Sequence, residues 1–112
     1  MNDWPQSWAG VKEDIPIGQG ITEIMRPFIV HLQDKKLAPK TVRRHLDNCW
    51  AIGGEVIREL GYVSDLRSKE PNELLLGAID CEEAPLIYGA SESEQRSCDA
   101  TARKLLKFIR SG

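Results

Sequence analysis

The stretch from Leu37 to Leu60 constrains the fold most, because helix-boundary residues mark both of its ends. Pro39 suits the first helical position, where its missing N–H is not needed, and Gly61 suits a left-handed residue that closes a helix. Between these ends, apolar residues recur every three or four positions, which is typical of one face of a helix. They are Val42, Leu46, Cys49, Gly53, Val56 and Leu60, with Trp50 and Ile57 widening the face. The spacing predicts a central helix over 39–60.

Three other segments carry helical patterns, so the sequence predicts an all-α, compact bundle of four main helices without a sheet. Ser91 and Glu94 form a capping-box pattern before the last of them. Thr22 is a candidate cap for the first helix, and Pro27 lies inside its pattern, where it would kink the helix or delay its start. The four helices are expected near residues 22–36, 39–60, 71–80 and 92–110.

The chain of 112 residues is expected to form a single domain with one core. Residues 1–20 are rich in proline and glycine and predict no long element, although Trp4 and Trp8 are spaced for one short helical turn. We expect these two rings to pin an amino-terminal arm onto the helical core of residues 21–112. An exposed aromatic recognition surface is the alternative.

Trp50 and Leu46 are expected to be structural, since both lie on or beside the apolar face of the central helix. The hypothesis is that they hold this helix against Phe28 and Phe108. Full burial of the Trp50 ring would follow from that arrangement.

The charge is divided along the chain, although the whole carries only −2. Residues 21–60 sum to +2 and residues 96–112 to +4, while the intervening residues 61–95 sum to −6. The net charge argues against a protein that coats nucleic acid indiscriminately. Two basic segments can still form one directed patch if the fold brings them together.

A basic cluster opens the central helix, where the helix dipole is positive and acidic residues are usually preferred. Lys40, Arg43 and Arg44 lie there with Thr41. A phosphate docked on the free N–H groups of the helix start would make this arrangement favourable. A solvated basic turn without a ligand is the alternative interpretation.

No pattern of residues predicts catalysis, a cofactor or a metal site. The three cysteines, Cys49, Cys81 and Cys98, have no CxxC spacing and are expected to be reduced and buried. His45 lies four residues before Cys49, but no second pair of ligands follows at a usable spacing. No apolar run approaches the roughly 20 residues that cross a bilayer, so we expect a cytoplasmic protein without a membrane partner.

Residues 20–60 resemble the amino-terminal core-binding domain of tyrosine recombinases and phage integrases, a SAM-like four-helix module. The matching pattern is an apolar helix ending in F-x-x-x-L, a basic corner, and a helix that opens with a proline followed by Lys-Thr-Val and further basic residues. The matching positions are Phe28 and Leu32, then Lys35 to Leu37, then Pro39 to Arg44. The resemblance implies a DNA clamp built from helix faces and basic side chains.

A recombinase also needs a catalytic domain with an arginine, an H-x-x-R pair and a tyrosine nucleophile, and no such set follows Leu60. The resemblance therefore implies a stand-alone, non-catalytic DNA-binding module that is not an enzyme. Its DNA-backbone contacts would come from the start of the central helix and, if the last helix packs alongside, from that helix as well. The residues are Lys36, Lys40, Thr41, Arg43, Arg44, Arg96, Arg103 and Lys107.

Two other functions compete with the recombinase-like interpretation. In a helix-turn-helix regulator, PKTVRRHLDN would be the recognition helix, and Thr41, Arg44 and His45 would face a DNA groove. In a protein-interaction module with a SAM-like fold, the partner would be another protein or a second copy bound through the Trp4 and Trp8 arm.

Overall fold

The central helix contacts each of the other four helices. The computed structural model describes residues 1–111, and over this range it contains helices and no strand. The predicted all-α bundle of four main helices is confirmed, with a short fifth helix at the amino terminus. The segments are α1 (Trp4–Trp8), α2 (Asp14–Asp34), α3 (Pro39–Leu60), a 3₁₀ turn (Ser64–Ser68), α4 (Pro71–Ile79) and α5 (Glu92–Ser111).

Helix α2 begins at Asp14, well before the predicted start near residue 22. Its two glycines serve close packing, since a Cβ at Gly20 would overlap the ring of Pro71 and a Cβ at Gly18 would lie 3.1 Å from the Cα of Pro5. Thr22 is therefore inside the helix and is not a cap. Its hydroxyl donates a hydrogen bond to the Gly18 carbonyl at 2.8 Å.

The core lies between α2, α3, α4 and α5. At its edge the buried ring of Phe28 meets the half-buried ring of Phe108, with centroids 5.7 Å apart. Phe28 is 1% exposed, so its ring is almost wholly removed from water. Trp4 of α1 is also buried and joins this cluster. The largest completely buried side chains are Phe28, Ile21, Met25, Ile52, Leu60, Leu75, Ile79 and Leu105.

The prediction that Trp50 holds α3 against Phe28 and Phe108 is wrong, because its side chain is 46% exposed. Trp8 packs on α3 instead, and a Cβ at Gly53 would overlap its ring. The indole N–H of Trp8 donates to the Trp50 carbonyl at 3.0 Å. Trp50 is one helical step away from buried Cys49, at the border of the apolar face, where the neighbouring helix α1 covers only part of it. Leu46 is half-buried.

The helix boundaries follow the local residues, although two details differ from expectation. Gly61 ends α3 in a right-handed conformation with φ −72°, and the left-handed residue at the basic corner is Lys36, with φ 58°. The predicted capping box before α5 is confirmed, because the Glu94 N–H donates to Ser91 Oγ and the Ser91 N–H donates to Glu94 Oε1, both at 3.1 Å. The bond from the Ser91 N–H lowers the pKa of the Glu94 carboxyl group, and the Ser91 hydroxyl lowers it further.

The cysteines divide into two groups. Cys49 and Cys98 are buried as expected, whereas Cys81 is exposed, so the prediction for Cys81 is wrong. Cys81 follows the end of α4 in a turn where no other element covers it. No helix within residues 1–111 combines the length and apolar character needed to span a membrane.

Candidate nucleic-acid interface

Helices α3 and α5 lie antiparallel, as their contacts show. His45 near the start of α3 meets Thr101, and Asn48, one turn further on, meets Ser97, which precedes Thr101. The same arrangement brings Phe108 near the end of α5 against His31 near the end of α2. Consequently the end of α2, the start of α3 and the carboxyl-terminal half of α5 share one end of the bundle, which we call the basic end.

A groove of about 1270 Å³ runs along α3 beside the start of α5. We call it the α3 groove. It gathers four of the eight predicted DNA-binding residues, and Trp50 lies in its wall further along the helix. The four are Lys40, Thr41, Arg43 and Arg44. Three of them, the cations, are exposed, and Thr41 is half-buried.

A second concave surface lies between α2 and α5, with a volume of about 350 Å³. We call it the lysine cleft, because Lys35, Lys104 and Lys107 line it with His31 and Phe108. None of the eight described residues that line it is acidic. Lys107 was predicted from the sequence, whereas Lys104 was missed. Only one feature of the sequence could have indicated that Lys104 lies near α3. Lys104 is at helical spacing from Ser97 and Thr101, the polar residues by which α5 contacts α3.

The remaining predicted residues lie outside these two surfaces. Lys36 is exposed at the corner between α2 and α3, and Arg96 and Arg103 are exposed on α5, where they line neither the α3 groove nor the lysine cleft. Helix α5 does pack alongside α3, but it does so through the face that carries Ser97 and Thr101.

The Arg43 guanidinium pairs with the Asp47 carboxylate one turn later, at 3.4 Å, and both side chains are largely exposed. Exposed pairs of this kind contribute only about 0.2–1 kcal/mol, because water and salt screen them. Arg43 can therefore exchange Asp47 for a phosphate at little cost in free energy.

A partly buried polar network at the floor of the α3 groove joins α3 to α5. Thr101 Oγ1 is 2.8 Å from His45 Nδ1 and accepts a hydrogen bond from the Asn48 amide at 2.9 Å. The same amide donates to Ser97 Oγ at 3.0 Å. Sequence reasoning missed this network. Its signal is a pair of polar residues at helical spacing within each apolar face, His45 with Asn48 on α3 and Ser97 with Thr101 on α5.

His45 is 2% exposed, so its ring cannot face a DNA groove as the helix-turn-helix interpretation requires. Burial lowers the pKa of His45, and the nearby charges of Arg44 and Lys104 lower it further. A neutral imidazole therefore holds the network together. Arg44 and Lys104 come from different helices, and both act on this one ring.

We expect the protein to lose stability when His45 is protonated. Because the folded-state pKa lies below 6.5, the unfolded chain binds more protons as pH falls below that value. The free energy of unfolding should be constant above about pH 7 and then decrease by at most about 1.4 kcal/mol per pH unit. Urea titrations at several pH values measure this decrease.

The control for this prediction is a comparison of two variants. His45→Gln should remove the pH-dependent decrease, whereas His31→Gln, which changes the other histidine, should retain it. A decrease that persists unchanged in His45→Gln would assign the effect to other groups.

Residues 1–111 contain no group of three or more His, Cys, Asp or Glu side chains placed to hold a metal ion. Burial raises the pKa of the Cys49 thiol to about 12, and the nearby Cys98 adds to the effect. The thiol is therefore protonated at neutral pH, which makes it a poor nucleophile and a poor metal ligand.

No protein-family model matches the sequence, and neither a curated protein nor a solved structure matches it. The resemblance to a core-binding domain thus stays a prediction that depends on its motif residues. The fold and the surface define this protein as a helical bundle with a basic end.

Proposed function

We propose that this chain is a non-catalytic DNA-binding module that contacts the DNA backbone through the basic end. The observation that carries the proposal is the convergence of cations from three helices on one end of the bundle. They are Lys35 just after α2, Lys40, Arg43 and Arg44 of α3, and Lys104 and Lys107 of α5. The resemblance to the recombinase core-binding domain agrees with this use of the surface.

Side chains, more than helix N–H groups, would bind the phosphates. The N–H groups of Thr41 and Val42 already donate to the Ala38 carbonyl, at 2.9 and 3.1 Å. Pro39 has no N–H, so the first turn leaves at most the Lys40 N–H for an anion. The expected docking of a phosphate on several free N–H groups is therefore replaced by contacts from lysine and arginine side chains.

The footprint on DNA should be short. The protein carries a net charge of −2, and residues 61–95 carry −6, which repels a second approach to the duplex. Phosphate contacts dominate the salt dependence of protein–DNA binding, with a slope of about −0.9 per neutralised phosphate. About four phosphates would give a slope of log K against log salt near −3 to −4.

The proposal predicts weak, salt-sensitive binding of duplex DNA that depends on the start of α3. Arg43→Ala combined with Arg44→Ala should flatten the salt slope by about one to two units, since each lost cation removes about one phosphate contact. Fluorescence anisotropy with a labelled duplex, titrated at several low salt concentrations, measures the slope.

The matched control is the pair Arg96→Ala and Arg103→Ala, which removes the same charge from residues outside the α3 groove and the lysine cleft. This control should change the salt slope less than the Arg43, Arg44 double variant does. Equal affinity and slope for wild type and the Arg43, Arg44 double variant would remove the start of α3 from any DNA role.

A second candidate function, protein binding, is favoured by exposed apolar side chains away from the basic end. Leu86, Tyr88 and Tyr62 are 85%, 79% and 74% exposed. The arm suggested for self-association offers little free aromatic surface, because Trp4 is buried and Trp8 is half-buried against α3. Sedimentation over a range of concentrations tests whether the exposed surface joins two copies.

A further inference from the structure

We infer that this surface prefers single-stranded to duplex nucleic acid, with one base stacked on the exposed ring of Trp50. The inference rests on the proposed function and adds the form of nucleic acid that the site takes. Non-specific single-strand binding sites combine cations that follow the backbone with aromatic rings on which bases stack.

The ring of Trp50 is both accessible and held in position. Its side chain is 46% exposed, and its indole N–H donates to Ser7 Oγ at 3.1 Å. The Trp8 indole N–H fixes the neighbouring backbone by its bond to the Trp50 carbonyl. A ring oriented in advance loses little conformational freedom when a base stacks on it.

Trp50 shares a surface with the proposed phosphate-binding cations. Arg43, Asp47 and Trp50 are spaced four and three residues apart, which puts them on one stripe of α3. The helical rise places Trp50 about 10 Å beyond Arg43 along the helix axis. Lys40, Arg43 and Trp50 all line the α3 groove.

The aromatic surface continues beyond Trp50. The α3 groove meets a second groove of about 620 Å³, and Trp50 and Ile87 line both. We call the second one the aromatic groove, because Tyr62 and Tyr88 line it together with Arg58. The Arg58 guanidinium lies 4.4 Å from the centroid of the Tyr88 ring. A strand that leaves Trp50 would thus meet a second aromatic face next to a cation.

Acidic residues in the α3 groove limit how much affinity the phosphates of the ligand can contribute. Asp3, Asp47 and Glu94 also line the α3 groove, so its positive charge is concentrated around Lys40 and Arg44. Few phosphates can be neutralised along such a path, and stacking must supply a larger share of the affinity. The bases of an intact duplex are stacked on one another and cannot use the Trp50 ring.

The test compares single-stranded and duplex DNA. Anisotropy titrations at low salt would use a labelled oligothymidylate of about 12 nucleotides, within the range of known single-strand sites, and a labelled duplex of equal length. Trp50→Leu should weaken binding of the single strand about 5- to 150-fold and leave duplex affinity unchanged. Trp50→Phe keeps an aromatic face and should retain most of the affinity.

The wild-type protein provides a check that does not depend on folding of a variant. Stacking of a base on Trp50 should quench part of the tryptophan fluorescence when oligothymidylate is added. Trp50→Phe should lose most of this quenching, because Trp4 is buried and Trp8 is half-buried against α3, whereas Trp50 is exposed. Absence of quenching in wild type at saturating oligothymidylate would overturn the inference.

The outcomes separate this inference from the proposed function. If the Arg43, Arg44 double variant loses both ligands while Trp50→Leu binds like wild type, the stacking role falls and DNA binding stands. If neither variant changes either titration, both fall. If Trp50→Leu leaves oligothymidylate binding intact but abolishes a dimer seen in sedimentation, the surface serves contact between copies, and the inference is overturned.

Discussion

Replacing Phe28 with Ala should lower the free energy of unfolding by about 3–5 kcal/mol, the largest effect expected for a single change in this chain. The ring is 1% exposed and packs against Phe108 with centroids 5.7 Å apart. Its removal leaves a cavity that helices fixed by other contacts cannot close completely. Urea denaturation followed by far-ultraviolet circular dichroism measures the change.

Trp50→Ala is the contrasting variant, because it removes a larger aromatic side chain from a position that is 46% exposed. Its cost should be clearly smaller, since much of the ring is already in contact with water. Equal costs for the two variants would mean that the Trp50 ring is as buried in solution as Phe28.

Thr101→Val should be the second large destabilisation, although it preserves the shape of the side chain. The Thr101 hydroxyl is completely buried and contacts both His45 Nδ1 and the Asn48 amide. Valine would leave His45 Nδ1 without a partner and would remove one of the two hydrogen bonds of the Asn48 amide. An unsatisfied buried group costs about 1–3 kcal/mol. Urea denaturation at neutral pH measures the loss.

Thr101→Ser is the matched control, since it keeps the hydroxyl group and removes only a methyl group. It should be destabilised by less than the valine variant. A valine variant as stable as the serine variant would show that the network contributes nothing to the packing of α5 on α3.

The helix boundaries that the sequence predicts correctly are those marked by neighbouring residues. Pro39 at the start of α3, Pro71 at the start of α4 and the Ser91 capping box act within one turn of the chain. The start of α2 was missed because Gly20 weakens a helix locally, while its real role depends on Pro71 from another helix. No local pattern contains that contact.

The burial of the tryptophan side chains likewise depends on contacts between distant parts of the chain that no local pattern contains. Periodicity places Trp50 near the apolar face of α3, but a residue at the border of a face is buried only if a neighbour covers it. Helix α1 approaches α3 at Gly53 and Gly54, so the Trp8 ring packs there. A pair of glycines lets another part of the chain approach closely, but it does not specify that an aromatic ring fills the space.

The candidate site could be predicted where it is contiguous in sequence. Lys40, Thr41, Arg43 and Arg44 lie within one and a half turns of a helix with well-marked ends, and they line one groove. Lys104 depends on the antiparallel pairing of α3 with α5, which the sequence does not specify. The network around Thr101 depends on the same pairing.

In the lysine cleft, lysines from two packed segments of the bundle repel one another. Lys35 follows the last residue of α2, and Lys104 and Lys107 belong to α5, so their like charges oppose the packing of two segments that are distant in sequence. A polyanion that bridges the cleft would relieve the repulsion and, by mass action, stabilise the folded chain. Substituting these lysines would therefore have two opposed effects, a more stable free protein and a smaller gain in stability from the ligand. Melting temperatures measured without polyanion would report the stability of the free protein. The difference between melting temperatures with and without polyanion would report the gain in stability from the ligand.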